Sequence, residues 1–230
     1  VLRDQDIPNL GFQGIDHLIL NQAEGSIHTG KMMKELIHLA QAKDIRFLWG
    51  TSVESLIQHP TKVELNCKNG LTLSTSQLIL ATNAFSLLFL PEIALQPARN
   101  QVLVTNPIPN LECRGAFHMD KGYVYFRHVD HRILIGGGRN LDAEGERTTQ
   151  FGQTERIKNY LVQLLQEHII PNTAFEIEYQ WSGILGVGKA KRPIIQRVNK
   201  TTTAAVRLGG MGVAIGTLVG QQAARIALGD

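Results

Sequence analysis

Gly209 to Gly220 reads GGMGVAIGTLVG, five glycines in twelve residues, and leads into the C-terminal QQAARIALGD. Glycine loses more backbone freedom on folding than any other residue, so such a cluster implies positive φ or close backbone approach to a ligand. If the chain turns there from a strand into a helix starting near Val213, unpaired N–H groups and the positive end of the helix dipole form an anion site. The spacing is not a Walker A loop, since no Gly-Lys-Ser/Thr follows, nor the dinucleotide fingerprint G-x-G-x-x-G. A tight strand-to-helix turn with glycines serving only packing explains the spacing equally well.

Other chemistry-bearing clusters are weaker. His128-Val-Asp-His131 has ligand-like spacing but falls at the turn of a hairpin, where polar residues belong, so no metal is expected. No G-x-S-x-G elbow is present, and hydrolysis has no support. Arg127 closes an aromatic strand, where it suits either a bidentate carboxylate clamp or a solvated edge. Cys67 and Cys113 lack CxxC or His-paired spacing and read as reduced thiols of a cytoplasmic protein.

The 230 residues are 43% hydrophobic and 19% charged, enough for one substantial core or two modest ones. A net charge of +3 with no basic run longer than Lys189-Ala-Lys-Arg192 argues against a nucleic-acid surface and fits an anionic small molecule. Gly70 to Pro91 is uncharged, but hydroxyl and amide side chains interrupt it, whereas a membrane span wants about 20 mainly apolar residues. No span is expected. The opening VLRDQDIPNL lacks an initiator Met and a signal peptide, which suggests a start partway through a longer product.

The elements that must position these residues follow from periodicity. Lys31 to Lys43 places Met33, Leu36, Ile37 and Ala40 on one helical face, with Thr29 as a candidate N-cap. Ile45 to Trp49 reads as a short buried strand. Asn69-Gly70 joins two alternating segments as a hairpin, and Gln77 to Ala81 reads as a central strand. That order fits a parallel sheet with a hairpin crossover, half of a nucleotide-binding domain. The prolines of 97–110 are expected to carry the chain out of it. Residues 122–129 and 132–138 form a second hairpin with Tyr123, Tyr125 and Arg127 on one face and Val124, Phe126 and His128 on the other. A helix over 154–168 follows, with Ile157, Tyr160, Leu161, Leu164, Leu165 and His168 as its stripe, and then a strand from Phe175. Ala204 to Leu208 reads as a strand feeding the glycine cluster, and Ile215, Leu218, Val219, Ala223, Ile226 and Ala227 line the last helix. Gly216 and Gly220 would let that helix approach a sheet closely.

Taken together, EGSIHTGKMMKELIHLAQAKDIRFLWGTSV, LILATNAFS, PARNQVLVT, GYVYFR…RILIGGGRN, WSGILG…KRPII and GGMGVAIGTLVG resemble the D-amino-acid oxidase and glycine oxidase superfamily of FAD-dependent oxidoreductases. Order and spacing match over nearly the whole chain. The resemblance implies an α/β plus α+β architecture: an incomplete FAD/NAD(P)-binding Rossmann-like domain with an antiparallel-sheet substrate domain. FAD-domain segments would lie at 26–97 and 181–230, and substrate-domain segments at 1–25 and 98–180. It implies FAD as cofactor, with Val53 meeting the adenine, and Ala81, Thr82 and Asn83 forming a turn beside the cofactor. Gly210, Met211, Gly212, Val213, Ala214 and Ile215 would meet the flavin ring and ribityl chain. A helix N-terminus at that point would favour the negative charge that reduced flavin gathers. Tyr125, Arg127 and Arg99 are the substrate-face candidates, for hydride transfer from a small amine, amino acid or hydroxy acid.

Two departures qualify what the resemblance implies. The first βαβ unit, with its G-x-G-x-x-G loop and ribose-binding acidic residue, is absent, so a missing N-terminal FAD-binding segment is an expected partner. Leu185 stands where amino-acid oxidizing members often carry Arg, so Arg127, Arg99 or Lys189 would have to hold a substrate carboxylate. The alternative reading is a non-catalytic remnant of the fold acting as a binding or scaffold module. Gly212→Val should cripple flavin binding by blocking backbone approach. Unchanged flavin occupancy, read from visible absorbance, would show the loop to be misplaced.

Overall fold

The computed structural model describes residues 1–229. In chain order the regular elements are α1 (Thr29–Gln41), β1 (Val53–Gln58), β2 (Val63–Cys67), β3 (Thr72–Thr75), β4 (Leu78–Leu80), β5 (Gln96–Thr105), β6 (Ala116–Met119), β7 (Val124–Val129) and β8 (Arg132–Gly137). Then follow α2 (Glu155–Leu164), β9 (Ile177–Val187), β10 (Ile194–Arg197), β11 (Thr202–Val206) and α3 (Gly212–Leu228). Two compact units result: Val1–Ile27 with Arg99–Ile184, and His28–Ala98 with Leu185–Asp230.

The first unit is built on a five-stranded sheet in the order β6-β7-β8-β5-β9. Alternation along β7 and β8 sends every second side chain to one face. Phe117, Phe126, Ile135 and Leu103 stand in register as one row across four strands. They join Val124, Ile133, Ile157, Leu161 and Leu165 in the main core, where α2 covers this face. The stripe of α2 is buried at Ile157, Leu161 and Leu164, and a π turn over Leu165–Ile169 extends the burial to Leu165 and Ile169. The buried amide of Gln101 fixes the start of α2: its Oε1 accepts from Thr154 N at 2.9 Å and its Nε2 donates to Thr154 Oγ1 at 3.0 Å. The opposite-face row reads His118, Tyr125, Gly136, Val102.

The second unit holds a three-stranded sheet, β10-β11-β4, in which β11 pairs antiparallel with β10 and parallel with β4. All five residues of β11 are buried. α3 packs on this sheet through Val219, Ala223 and Ala205. A separate antiparallel meander, β1-β2-β3, turns at Asn69-Gly70, with Gly70 at φ 82°. No helix among the described residues is long and apolar enough to cross a membrane.

Several expectations need correction. Residues 45–49 form no strand: Ile45, Leu48 and Trp49 are exposed, and Phe47 and Trp49 stack on each other at 5.1 Å. An apolar run becomes a strand only where a neighbour takes its backbone hydrogen bonds, and here none does among the described residues. For the same reason β4 is, among the described residues, an edge strand and not a central one. Pro97 lies not in a turn but at the second position of β5, a ten-residue strand, since strand starts tolerate proline; the change of unit falls within that strand, between Ala98 and Arg99. The cap of α1 is His28, whose Nδ1 accepts from Lys31 N at 3.3 Å, rather than Thr29. Gly216 and Gly220 face open space, while Ala223 and Ala227 supply the close packing of α3. Leu218, assigned to the packed stripe, is exposed.

Leu161 is fully buried between α2 and the sheet. Leu161→Ala should therefore cost about 2 to 5 kcal/mol of stability through lost burial and a residual cavity. Chemical denaturation of the variant beside the wild type measures the loss, and an unchanged midpoint would contradict this packing.

Candidate functional site

β4 and β11 run parallel, and both end at one point of the second unit. Open parallel sheets bind ligands beyond the carboxyl ends of such strands. After β4 the chain turns through Ala81, Thr82 and Asn83 into a 3-10 turn over Asn83–Leu88, with Thr82 Oγ1 and Ser86 Oγ 2.7 Å apart. After β11 it turns through Arg207 to Met211 into α3. Asn83 Oδ1 joins the two turns, accepting from Arg207 N at 3.1 Å and from Leu208 N at 3.4 Å.

The β11–α3 turn is conformationally unusual: Arg207, Gly209 and Gly210 have φ of 62°, 59° and 88°. Only glycine adopts such values freely. At Gly209 an added Cβ would meet nothing within 4 Å, and at Gly210 only Leu185 Cδ1 at 3.8 Å, so positive φ and not crowding explains these two glycines. α3 then begins without a side-chain cap, since Met211 makes no capping hydrogen bond. The amides of Gly210, Gly212 and Val213 have no partner among the described residues. Met211 and Val213 are exposed. Gly212 has ordinary helical backbone, and a Cβ there would press only on the flexible Leu208 side chain at 3.2 Å. Ala214 and Ile215 lie in the first turn, their amides bonded to Met211 O.

The structure thus groups Ala81, Thr82 and Asn83 with Gly210 to Ile215. Val53 stands apart, opening β1 on the meander. Leu185 packs beside Gly210, and Lys189 is exposed on the β9–β10 connection.

In the first unit Tyr125 and Arg127 share the sheet face opposite the core. The Tyr125 phenol lies across Gly136 and accepts from Asn100 Nδ2 at 3.1 Å. A Cβ on Gly136 would fall 2.5 Å from the phenol oxygen, so this glycine makes room for the ring. Burial pushes the Tyr125 phenol above its ordinary value, against the smaller opposing effect of the Asn100 hydrogen bond. Arg127 Nη1 donates to Ile27 O at 2.7 Å, and its buried Nε has no partner. Arg99 is already engaged: its Nε and Nη2 donate to Glu146 Oε2 and Oε1 at 2.9 and 2.8 Å, and Glu146 is buried. That hydrogen bonding raises the Arg99 guanidinium further.

His128 and His131 make an edge contact at 6.1 Å, and no group of side chains among the described residues could hold a metal. Both cysteines are free and buried, with the Cys113 thiol pushed up to about 12 by burial, so it is no nucleophile at neutral pH. Sequence reasoning missed Asn100, Gly136, Glu146, Gly186 and Arg207. Only Gly136 left a trace, in the run Gly136-Gly137-Gly138 inside an apolar strand.

With this geometry in hand, comparison with known proteins decides the family. The family model for FAD dependent oxidoreductase (DAO) matches residues 3–226. The chain belongs to the DAO family of FAD-dependent oxidoreductases. Its fold, mixed α/β with antiparallel sheets, is that of solved proteins of this kind. It is similar to L-proline dehydrogenase from P.horikoshii (TM-score 0.67, 19% identity, 85% of this chain and 54% of that one). It is likewise similar to glycine oxidase from Bacillus cereus ATCC 14579 (TM-score 0.67, 14% identity, 86% and 55%). An Amadoriase I mutant from Aspergillus fumigatus gives a TM-score of 0.69 at 17% identity, over 88% and 51%. The chain therefore spans about half the length of these structures. No curated protein matches it by sequence.

Gly136→Ala should drive the Tyr125 ring off the sheet and out of its bond to Asn100. In the wild type the phenol stays protonated at pH values where a free phenol, near 10, already ionises. Ultraviolet difference titration should show this high-pH transition moving down toward 10 in the variant. Identical titrations would show that Tyr125 is not held over Gly136.

Proposed function

We propose that the chain is part of an FAD-dependent oxidoreductase that takes a hydride from a small amine, amino acid or hydroxy acid. The observation that carries this reading is the uncapped N-terminus of α3, with three unpartnered amides, at the shared end of two parallel strands. Its chemistry suits FAD: hydrogen bonds to a charged acceptor contribute roughly 1.5 to 3 kcal/mol each. Bound FAD would supply the two-electron acceptor.

The residues of this chain would divide the remaining work. Gly210 to Ile215 hold the flavin end of the cofactor, with Ala81, Thr82 and Asn83 beside them and Val53 toward the adenine. Tyr125, protonated at neutral pH, orients the substrate by hydrogen bonding. Of the two arginines, Arg127 is the better anion clamp, because Arg99 already binds Glu146 through its fork. A cytoplasmic location, consistent with two free thiols, completes the reading.

The fit to FAD is partial, because the sequence contains no G-x-G-x-x-G loop for the pyrophosphate. We infer that a further segment supplies it. The second unit leaves room for such a partner: α1 buries no residue, and Leu36, Leu39, Ile45, Leu48, Trp49 and Ile79 are exposed. Exposed apolar surface of this extent marks an interaction site.

The test is FAD titration of the protein with and without a G-x-G-x-x-G-bearing segment from a family member, followed by anaerobic addition of candidate substrates. Yellow protein whose flavin absorbance bleaches with one substrate class is the expected outcome. Protein that takes up no FAD in either form would overturn the reading in favour of a non-catalytic module.

A further inference from the structure

The Asn83 side-chain oxygen accepts two hydrogen bonds from the backbone that leads into the glycine loop. Asn83 has φ 48°, in the left-handed region that asparagine tolerates better than most residues. That conformation puts Oδ1 between the two turns, where it accepts from Arg207 N and Leu208 N. Gly186 makes the space: a Cβ there would lie 2.5 Å from Asn83 Oδ1. Gly186 O in turn accepts from Gly209 N at 3.0 Å. Arg207 keeps its unfavourable φ of 62° while its Nε and Nη1 donate to Arg192 O and Ala94 O at 2.9 and 2.7 Å.

The amides of Arg207, Leu208, Gly209 and Met211 are therefore all bonded within the protein, and those of Gly210, Gly212 and Val213 are not. We propose that Asn83 and Arg207 are positioning residues that decide which amides of this loop are free for a ligand, acting through the loop and without touching the flavin. This rests on the flavin reading above, and it gives Asn83 a different part from direct cofactor contact.

Two variants separate backbone from side chain. Asn83→Gly permits the same φ but removes the acceptor, whereas Asn83→Asp keeps an acceptor at the same place. Both are compared with the wild type, complete with whatever segment its flavin binding requires. Hydrogen exchange of the Arg207 and Leu208 amides is measured without flavin; the FAD dissociation constant and visible absorption band are measured with it. Asn83→Gly should lose protection at both amides, weaken FAD binding about tenfold and shift the band, since one acceptor serves two amides. Asn83→Asp should restore protection and bring the dissociation constant within about threefold of wild type. A general loss of stability would not be rescued by aspartate in this pattern. Unchanged protection and unchanged FAD affinity in Asn83→Gly would overturn the proposal while leaving the flavin reading intact. A wild type that binds no FAD would overturn both.

Discussion

One side-chain oxygen, Asn83 Oδ1, ties together the two loops that leave the ends of a pair of parallel strands. The β4–β11 ladder is only three residue pairs deep, Thr202 to Ala204 against Leu78 to Leu80. A ladder that short fixes the strands but not the loops that leave them. The direction of those loops is set instead by Asn83, by Gly186 and by the two carbonyls that hold Arg207. A non-glycine residue in left-handed backbone costs roughly 1 to 2 kcal/mol, so Asn83 and Arg207 together oppose the turn. The hydrogen bonds at Asn83 and at the Arg207 guanidinium offset that cost, and such localised strain is characteristic of ligand loops.

The first unit solves a different problem with the same residue type. Its sheet buries one face under α2, and strict alternation along β7 and β8 separates that face from the one that carries Tyr125. The buried row is aromatic and aliphatic. The opposite row carries Tyr125, and its phenol can lie over position 136 because that position has no side chain. Asn100, on β5 next to β8, then donates a hydrogen bond to the phenol oxygen. A phenol is already protonated at neutral pH, and burial raises its ionisation further, so Tyr125 presents a hydroxyl and not an anion.

How much of this was legible in the sequence follows from what each signal measures. Helical periodicity reports a face that packs, and it located α2 and most of α3. Turn chemistry is local, and Asn69-Gly70 marked its hairpin. Apolar runs report only a demand for burial, and whether the demand is met depends on partners elsewhere. Ile45 to Trp49 and the outer edge of β4 show that demand unmet among the described residues. Gly216 and Gly220 misled for a related reason: glycine permits close approach, but Ala223 and Ala227 make the approach. The clamp at Asn83 was invisible because its partners lie more than a hundred residues away along the chain. The glycines it orders were visible, and the residue that orders them was named for another role.

The two arginines proposed for the substrate face differ in what already holds them. Arg99 cannot rotate toward a ligand without leaving Glu146 as an uncompensated buried carboxylate, a loss of about 3 to 5 kcal/mol. It is therefore part of the framework. Arg127 is bonded only to a neutral carbonyl, its Nε is buried without a partner, and it forms no ion pair among the described residues. Its guanidinium therefore carries a charge that no carboxylate among the described residues neutralises. Leu185, where a family arginine is often found, instead packs beside Gly210. On the reading proposed above, Arg127 and Tyr125, which share one face of β7, are the pair that this sheet would offer a substrate carboxylate.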